Sequence, residues 1–156
     1  MVLELLLSYL VLETLVGKGD FVAHYAFLDE NNVVVNVIVG RNEDEVVNEI
    51  SDWEAHYAEI YGMTCKRTSY NTYNNQHLLG GTPFRYNYAQ IGGTYDPVKD
   101  GFIPVKTYKA WTVDPETLNW IPPVPMPDNS TLNEGESYYW NDLTDEWLIA
   151  TEIITD

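Results

Sequence analysis

The sequence predicts an α+β fold: an N-terminal β-hairpin and a third strand packed on one amphipathic helix, followed by an irregular Tyr/Asn/Gly loop and three C-terminal β-hairpins. Three observations predict it. A β-branched hairpin pattern occupies residues 23–39, apolar side chains recur at helical spacing in residues 42–62, and residues 95–149 repeat one turn pattern three times. At 156 residues and 45% apolar, the chain is long enough for one domain with its own core.

Residues 23–39 predict the first hairpin. Residues 23–28 alternate, the four residues from Asp29 to Asn32 supply a turn, and residues 33–39 form a β-branched strand. The second strand carries apolar side chains on both of its faces, at Val34, Val35, Val37 and Ile38. We therefore expect this strand to be central in its sheet.

A helix is predicted from Asn42 to Gly62. Asn42 and Glu45 fit a capping box, and Gly62 is typical of a left-handed C-terminal cap. One face is apolar at three- and four-residue steps, at Val46, Ile50, Trp53, Tyr57 and Ile60. His56 lies beside this face, which favours a partly buried structural histidine. Residues 64–70 alternate again and predict the third strand.

Residues 1–22 form a separate apolar segment. Its run from Val2 to Val16 lacks the positive start of a signal peptide, and with Glu4 and Glu13 inside about fifteen residues it is too short and too charged to span a membrane. Two interpretations stay open: a helix that docks on the body or on a neighbouring subunit, or a misassigned start. The predicted organisation is an N-terminal extension (1–22), an α+β body (23–121), and a Pro-rich strap with a C-terminal hairpin arm (122–156).

The stretch from Thr68 to Tyr95 holds five of the twelve tyrosines and four of the ten glycines. Its Asn, Gly and Pro residues predict a long loop, and its aromatic side chains indicate that the loop is ordered. Tyrosines on a rigid loop offer contact area at low entropic cost, but the same rings can also fill a core, and both interpretations stay open. The predicted interaction residues here are Tyr70, Tyr73, Arg85, Tyr86 and Tyr88.

Three hairpins follow, marked by Asp or Asn at positions 96, 114 and 141 and by Phe or Trp at positions 102, 120 and 147. Each pair of positions frames a short polar turn, and each hairpin is too small to be stable alone. Aromatic side chains of this region can stack on a sugar or form a small core; they are Trp111, Trp120, Tyr138, Trp140 and Trp147. The prolines of residues 122–127 predict an extended strap that holds the last hairpin away from the body.

The formal net charge of −16 argues against nucleic acid and against an anionic membrane surface as partners. The charge is uneven: residues 62–109 carry six basic and two acidic side chains, whereas residues 110–156 carry ten acidic and no basic ones. Such a split can steer the acidic tail of one copy to the basic middle of another, or to a basic partner.

No catalytic constellation stands out. His24, His56 and His77 lie on different predicted elements without metal-ligand spacing, and Cys65 is the only cysteine, which excludes an intrachain disulfide and a paired-Cys zinc site. Neither a phosphate-binding glycine loop nor a nucleophile motif is present. We therefore expect a protein that is not an enzyme and uses no cofactor or metal.

Three stretches of the chain carry a family resemblance: AHYAFLDENNVV at residues 23–34, KRTSYNT at residues 66–72 and GGTPFRYNYAQIGGTYD at residues 80–96. They are similar to a family of small proteins from tailed phages of marine bacteria, cyanophages among them. The resemblance covers roughly residues 23–149, with Val22 where the family has its initiator Met. Members of that family are mostly uncharacterised and are often encoded beside virion genes, so the resemblance implies a phage-particle protein and no particular chemistry.

The expected function is that of a non-enzymatic structural protein of a tailed-phage particle, capsid-decorating or tail- or neck-associated, which acts through subunit contacts. It would form a homo-oligomer or attach to a larger assembly in the virion, after synthesis in the cytoplasm of the bacterial host. The alternative is a carbohydrate-binding module for attachment to the host surface, with the Trp- and Tyr-bearing hairpins as its glycan site.

Overall fold

The computed structural model describes residues 23–152, so the predicted N-terminal extension lies outside the described residues. The body contains strands β1 (Ala23–Leu28), β2 (Val34–Gly40) and β3 (Thr64–Thr68) and helix α1 (Trp53–Tyr61). Eight short strands follow: β4 (Thr72–Tyr73), β5 (Gln76–His77), β6 (Thr94–Asp96), β7 (Gly101–Ile103), β8 (Thr112–Val113), β9 (Trp120–Ile121), β10 (Glu136–Asn141) and β11 (Glu146–Thr151). The predicted α+β class is confirmed.

The central sheet is antiparallel with the strand order β2–β1–β3. The first hairpin and the third strand are confirmed, but the prediction that the second strand is central is wrong. β1 is central because its alternating side chains are buried on both faces, whereas β2 leaves Val35 and Val39 exposed. A high content of β-branched residues describes a strand well but does not say which neighbours it has.

Two apolar clusters lie on opposite faces of β1. One face packs Tyr25 and Phe27 against the helix residues Trp53 and Tyr57, with Cys65 beside them. The other face packs against the loop and the first C-terminal hairpin; its buried members are Ala26, Leu28, Val34, Ala89, Tyr95 and Phe102. The body therefore has three layers, with the sheet between a helix and the Tyr/Asn/Gly segment.

The helix begins at Trp53, and the predicted start at Asn42 is wrong. Asn42 and Glu45 do make the capping-box bond, Asn42 N–H to Glu45 Oε1 at 3.3 Å, but the chain then turns through Asn48 and Glu49, both with positive φ. Asp52 is the actual N-cap and accepts a hydrogen bond from the N–H of Ala55 at 3.0 Å. A capping-box bond also fits a turn, so this motif alone did not determine a helix.

The end of the helix agrees with the prediction. Gly62 has φ 64°, and its N–H reaches back to the carbonyl of Ala58, as a left-handed cap requires. Trp53 and Tyr57 of the predicted apolar face are buried, whereas Val46 and Ile60 are exposed. His56 is half-buried beside Trp53 and Tyr57, as predicted.

The three C-terminal hairpins are confirmed as β6–β7, β8–β9 and β10–β11. They share one turn, in which the Asp or Asn side chain accepts the N–H two residues on. The accepting residues are Asp96, Asp114 and Asn141, at 2.8, 3.0 and 2.9 Å. Four residues after the acceptor, each turn has a left-handed residue, namely Asp100 (φ 52°), Leu118 (φ 53°) and Asp145 (φ 55°). The internal repeat therefore encodes a turn.

The hairpins differ in their surroundings. The cross-strand pair before the turn is Tyr95 with Phe102 in the first, Val113 with Trp120 in the second, and Trp140 with Trp147 in the third. The first pair belongs to the body core, and Leu118 brings the second hairpin against Gly101 of the first. Residues 122–152, called the arm below, contact the rest of the chain through the indoles of the third hairpin, which pack on Trp111, and through Asp142, which accepts the N–H of Lys109 at 2.8 Å.

Candidate interaction site

An ion-pair network centred on Arg85 ties the helix to the loop and to the first hairpin. The guanidinium pairs with Glu54 of α1 and lies 2.8 Å from the carboxylate of Asp100, and it donates to the carbonyl of Arg67 at 2.8 Å. Asp100 also accepts a hydrogen bond from the hydroxyl of Tyr95. The Arg85 side chain is only 11% exposed, so these internal contacts account for its charge.

The pKa shifts agree with this placement. Burial opposes the charge of Arg85, but the hydrogen bond and charge of Glu54 outweigh it and raise the pKa of the guanidinium. Burial likewise opposes ionisation of Asp100, but the hydrogen bond from Tyr95 and the charge of Arg85 lower the pKa of its carboxyl group. Both groups are therefore held in their charged forms. A role of Arg85 in a partner contact stays a prediction.

Asn87 is a buried polar hub that sequence reasoning missed. Its Oδ1 accepts the N–H of Asn74 at 2.8 Å, and its Nδ2 donates to the carbonyls of Phe102 and Thr117, both at 3.0 Å. One side chain thereby joins the loop to the first two hairpins. The preceding residues Arg85 and Tyr86 both have positive φ, a conformation that non-glycine residues rarely adopt.

The region from Asn71 to Gly81 is an ordered structure with its own short hairpin. Strands β4 and β5 are joined by Asn74 and Asn75, both with φ 54°, the conformation of a two-residue hairpin turn. His77 then organises the following turn, because its Nδ1 accepts the N–H groups of Leu79 at 3.2 Å and Gly81 at 3.0 Å. The Asn74-Asn75 pair is the sequence signal from which this hairpin could have been predicted.

This ordered segment presents an apolar surface to solvent. Leu78 and Leu79 are 63% and 75% exposed, and Tyr70 and Tyr73 are exposed as well. Residues 68–84 contain no Lys, Arg, Asp or Glu, in a chain with a net charge of −16. We call the side chains of Tyr70, Tyr73, Leu78 and Leu79 the loop surface. The two tyrosines were predicted interaction residues, whereas the two leucines were not.

The remaining predicted tyrosines face inward to different degrees. Tyr88 is half-buried and packs edge-on against Tyr70 and His24, with ring centroids 5.5 Å apart in both pairs. Tyr86 is half-buried and touches Gly101 at the junction of the first two hairpins. The two interpretations of the loop tyrosines therefore apply to different residues: some rings fill the interior and others line the surface.

Three of the predicted tryptophans, Trp111, Trp140 and Trp147, form a small core under the arm. Trp140 is 4% exposed and lies edge-on to Trp147 and Trp111, with ring centroids 5.4 and 6.0 Å away. Tyr108 completes this cluster at 4.8 Å from Trp111. Trp120 lies apart, half-buried, and donates to the carbonyl of Pro104 at 2.8 Å. A glycan stacks on an exposed ring face, so the burial of Trp140 favours the small-core interpretation for that residue.

Every Lys and Arg side chain among residues 23–152 already has a partner within the chain. Arg41, Arg67, Arg85 and Lys109 pair with carboxylates. Lys66 and Lys106 lie over aromatic rings, and Lys99 donates to a backbone carbonyl. Of the six basic side chains in residues 62–109, three are therefore paired with carboxylates inside the fold, and the other three keep their positive charge. That the basic middle receives the acidic tail of a second copy stays a prediction.

A cleft of about 350 Å³ lies beside the helix start, lined by Glu43, Asp52, Glu54, Arg67 and Phe84 among others. Four of its five charged residues pair with one another: Arg67 lies 2.7 Å from Glu43, and Arg85 pairs with Glu54. The guanidinium carbon of Arg67 is also 3.9 Å from the centre of the Phe84 ring. The described residues contain no group of three or more side chains able to hold a metal ion. Within them no helix is long and apolar enough to cross a membrane.

No family model, no curated protein and no solved structure matches this chain.

Proposed function

We propose that the protein is a non-enzymatic structural component of a tailed-phage particle, capsid-decorating or tail- or neck-associated, and that it acts through contacts with other subunits. The observation that carries the proposal is the loop surface: exposed tyrosine and leucine side chains held on an ordered, uncharged segment. Soluble proteins rarely leave several large apolar side chains together on a rigid element unless something binds there.

The loop surface suits a protein partner. Its backbone is already held by Asn87, His77 and the β4–β5 hairpin, so little conformational entropy is lost when a partner docks. Tyr70 and Tyr73 supply large rings with few rotatable bonds, and Leu78 and Leu79 supply apolar area. Burying two leucines contributes about 3–6 kcal/mol in total, since each contributes about 1.5–3 kcal/mol.

The sequence resemblance over residues 23–149 supports the particle assignment, because it points to proteins encoded beside virion genes. The charge distribution supports the choice of a protein partner as well. With a net charge of −16 the chain is repelled by other acidic surfaces over most of its area. The uncharged loop surface is one place where a second protein can approach without that repulsion.

The test uses the double variant Leu78→Ser/Leu79→Ser and phage particles that lack the native protein. The added wild-type protein should cosediment with these particles, and the variant should bind at least about 100-fold more weakly, as expected from losing both leucine contacts. Val46→Ser/Val98→Ser is the matched control, because it removes two aliphatic side chains elsewhere that are at least as exposed on average.

Mass spectrometry of purified native particles supplies the independent check. The protein should be detected there in stoichiometric amounts. Its absence from particles, together with a strictly monomeric state in sedimentation at high protein concentration and at both low and high salt, overturns the proposal. Equal loss of binding in the leucine variant and in the control would assign binding to another surface.

A further inference from the structure

We infer that the arm, residues 122–152, binds a basic surface of a different protein and not a second copy of this chain. The inference rests on the proposed function, since it names the kind of partner that one of the contact surfaces takes. Three observations carry it: the incomplete packing of the arm, its charge, and the state of the basic side chains in the body.

The arm is incompletely packed. Strands β10 and β11 pair only with each other, and neither has a second neighbouring strand among the described residues. A two-stranded hairpin is marginal on its own, and here only the end that bears Trp140 and Trp147 is anchored. The hairpin exposes Tyr139 on the face opposite to Trp140, and it exposes Ile149 toward the end away from the turn. Leu143 at the turn is 90% exposed.

The arm carries acidic side chains only. Residues 122–152 contain seven acidic residues and no Lys or Arg: Asp128, Glu134, Glu136, Asp142, Asp145, Glu146 and Glu152. Among the described residues, only Asp142 of the arm lies near a cation, 3.9 Å from the ammonium of Lys109. Two arms therefore repel one another, and a cationic partner gains from every carboxylate it meets.

A second copy is a poor source of those cations, because its residues 23–121 carry thirteen acidic and only seven basic side chains. Of those basic side chains, Arg41, Arg67 and Arg85 are held in ion pairs at 2.9 Å or less. Recruiting one of these arginines would break an existing ion pair. The geometry therefore favours a partner whose surface combines Lys or Arg side chains with aliphatic ones, such as the edge of a basic β-strand.

The test measures binding of the full-length protein to an acetylated peptide of four Val-Lys repeats at low salt. The matching peptide of four Val-Glu repeats is the control for the probe. We expect binding to the Val-Lys peptide, quenching or shifting the fluorescence of the Trp111/Trp140/Trp147 cluster, and no binding to the Val-Glu peptide. Equal binding of both peptides, or of neither, overturns the inference.

Two charge variants separate a specific site from general attraction to an acidic protein. Glu134→Gln/Asp145→Asn/Glu146→Gln/Glu152→Gln neutralises four exposed arm carboxylates, and Glu30→Gln/Asp44→Asn/Glu49→Gln/Glu59→Gln neutralises four exposed body carboxylates. The arm variant should bind the Val-Lys peptide roughly tenfold more weakly, and the body variant by less than about threefold. Equal weakening in both variants contradicts an arm site.

The same proteins distinguish this inference from the proposed function. Leu78→Ser/Leu79→Ser should keep wild-type affinity for the Val-Lys peptide, because the loop surface lies outside the arm. If the arm variant still binds particles like the wild type, the arm inference fails and the loop-surface proposal stands. If sedimentation of the wild-type protein shows self-association that the arm variant loses, the partner is a second copy and the inference is wrong.

Discussion

Hairpins β6–β7 and β10–β11 have the same type of turn but lie in different parts of the molecule. Both have a side-chain oxygen that accepts the N–H two residues on, and both have a left-handed Asp four residues on. In hairpin β6–β7, Tyr95 and Phe102 complete the core of the body. In hairpin β10–β11, Trp140 and Trp147 pack mainly on each other and on Trp111.

This difference shows that the residues that form a hairpin turn do not determine whether the hairpin is buried. The turn needs only a short acceptor side chain and a residue that tolerates positive φ. Burial of a hairpin depends on which residues pack against it. Ala89 and Leu28 pack against the first hairpin, whereas the third hairpin is preceded by the exposed strap 122–127. Substitutions at equivalent positions of the two hairpins should therefore have unequal effects.

The largest expected contrast is between Phe102→Ala and Trp147→Ala. Phe102→Ala should lower the free energy of unfolding of the body by about 3–5 kcal/mol, because a fully buried ring leaves a cavity. Trp147→Ala should disorder the arm but leave the unfolding midpoint of the body nearly unchanged. Urea denaturation followed by far-UV circular dichroism measures the body, and near-UV circular dichroism measures the indole cluster. Equal shifts of the body midpoint would remove the distinction between the hairpins.

A smaller contrast is expected between Gly101→Ala and Glu146→Ala, which occupy the equivalent position after the turn. A Cβ at position 101 would collide with the Tyr86 ring and with Leu118, so the variant should lose about 1–3 kcal/mol of stability. Glu146 is exposed, and its replacement should change stability by less than about 0.5 kcal/mol. Thermal denaturation of both variants checks this. A neutral Gly101→Ala would mean that the second hairpin does not rest on the first.

The left-handed turn residues provide a third comparison. Asp100→Gly should destabilise the body by about 1–2 kcal/mol, because Tyr95 and Arg85 lose the carboxylate that they share. Asp145→Gly should stabilise the arm by about 0.5 kcal/mol, since glycine adopts the positive φ without a penalty and the Asp145 side chain is exposed. Hydrogen exchange of the arm amides measures the second effect. Two losses of similar size would contradict the comparison.

The smallest expected effect on stability at neutral pH comes from Cys65, which lies in the body and has no counterpart in the arm. Burial raises the pKa of this thiol to about 12, from an ordinary value of 9.0. The unfolded chain therefore releases the proton first, so this contribution to stability is complete below about pH 9 and declines as the pH rises toward 12. Burial also raises the pKa of the Tyr25 hydroxyl, so its contribution to stability declines at high pH in the same way.

Two measurements check the behaviour of this thiol. Ellman's reagent should not react with the native protein at pH 8 and should react once the body is unfolded in urea. The variant Cys65→Val should lose less stability than the wild type between pH 9 and pH 11. Rapid reaction of the native thiol would show that the face of the sheet beneath the helix is open to solvent.

The candidate site was only partly predictable. Tyr70 and Tyr73 were predicted as interaction residues on an ordered loop; both are exposed, and Tyr73 lies on the local hairpin turned by Asn74 and Asn75, while their role in an interaction stays a prediction. Leu78 and Leu79 were missed because an apolar pair in a sequence suggests burial, and only the tertiary contacts leave it in solvent. Asn87 was missed because nothing local distinguishes a hub asparagine from a turn asparagine.

The amino-acid sequence by itself determined the local structures: the first hairpin, the left-handed cap at Gly62, and the three repeated turns. Each depends on a few neighbouring residues whose hydrogen bonds close within the segment. Only the tertiary structure decided which strand is central, where the helix begins, and which basic side chains remain available. Those outcomes depend on contacts between residues far apart in sequence, such as Arg85 with Glu54, and no local pattern records them.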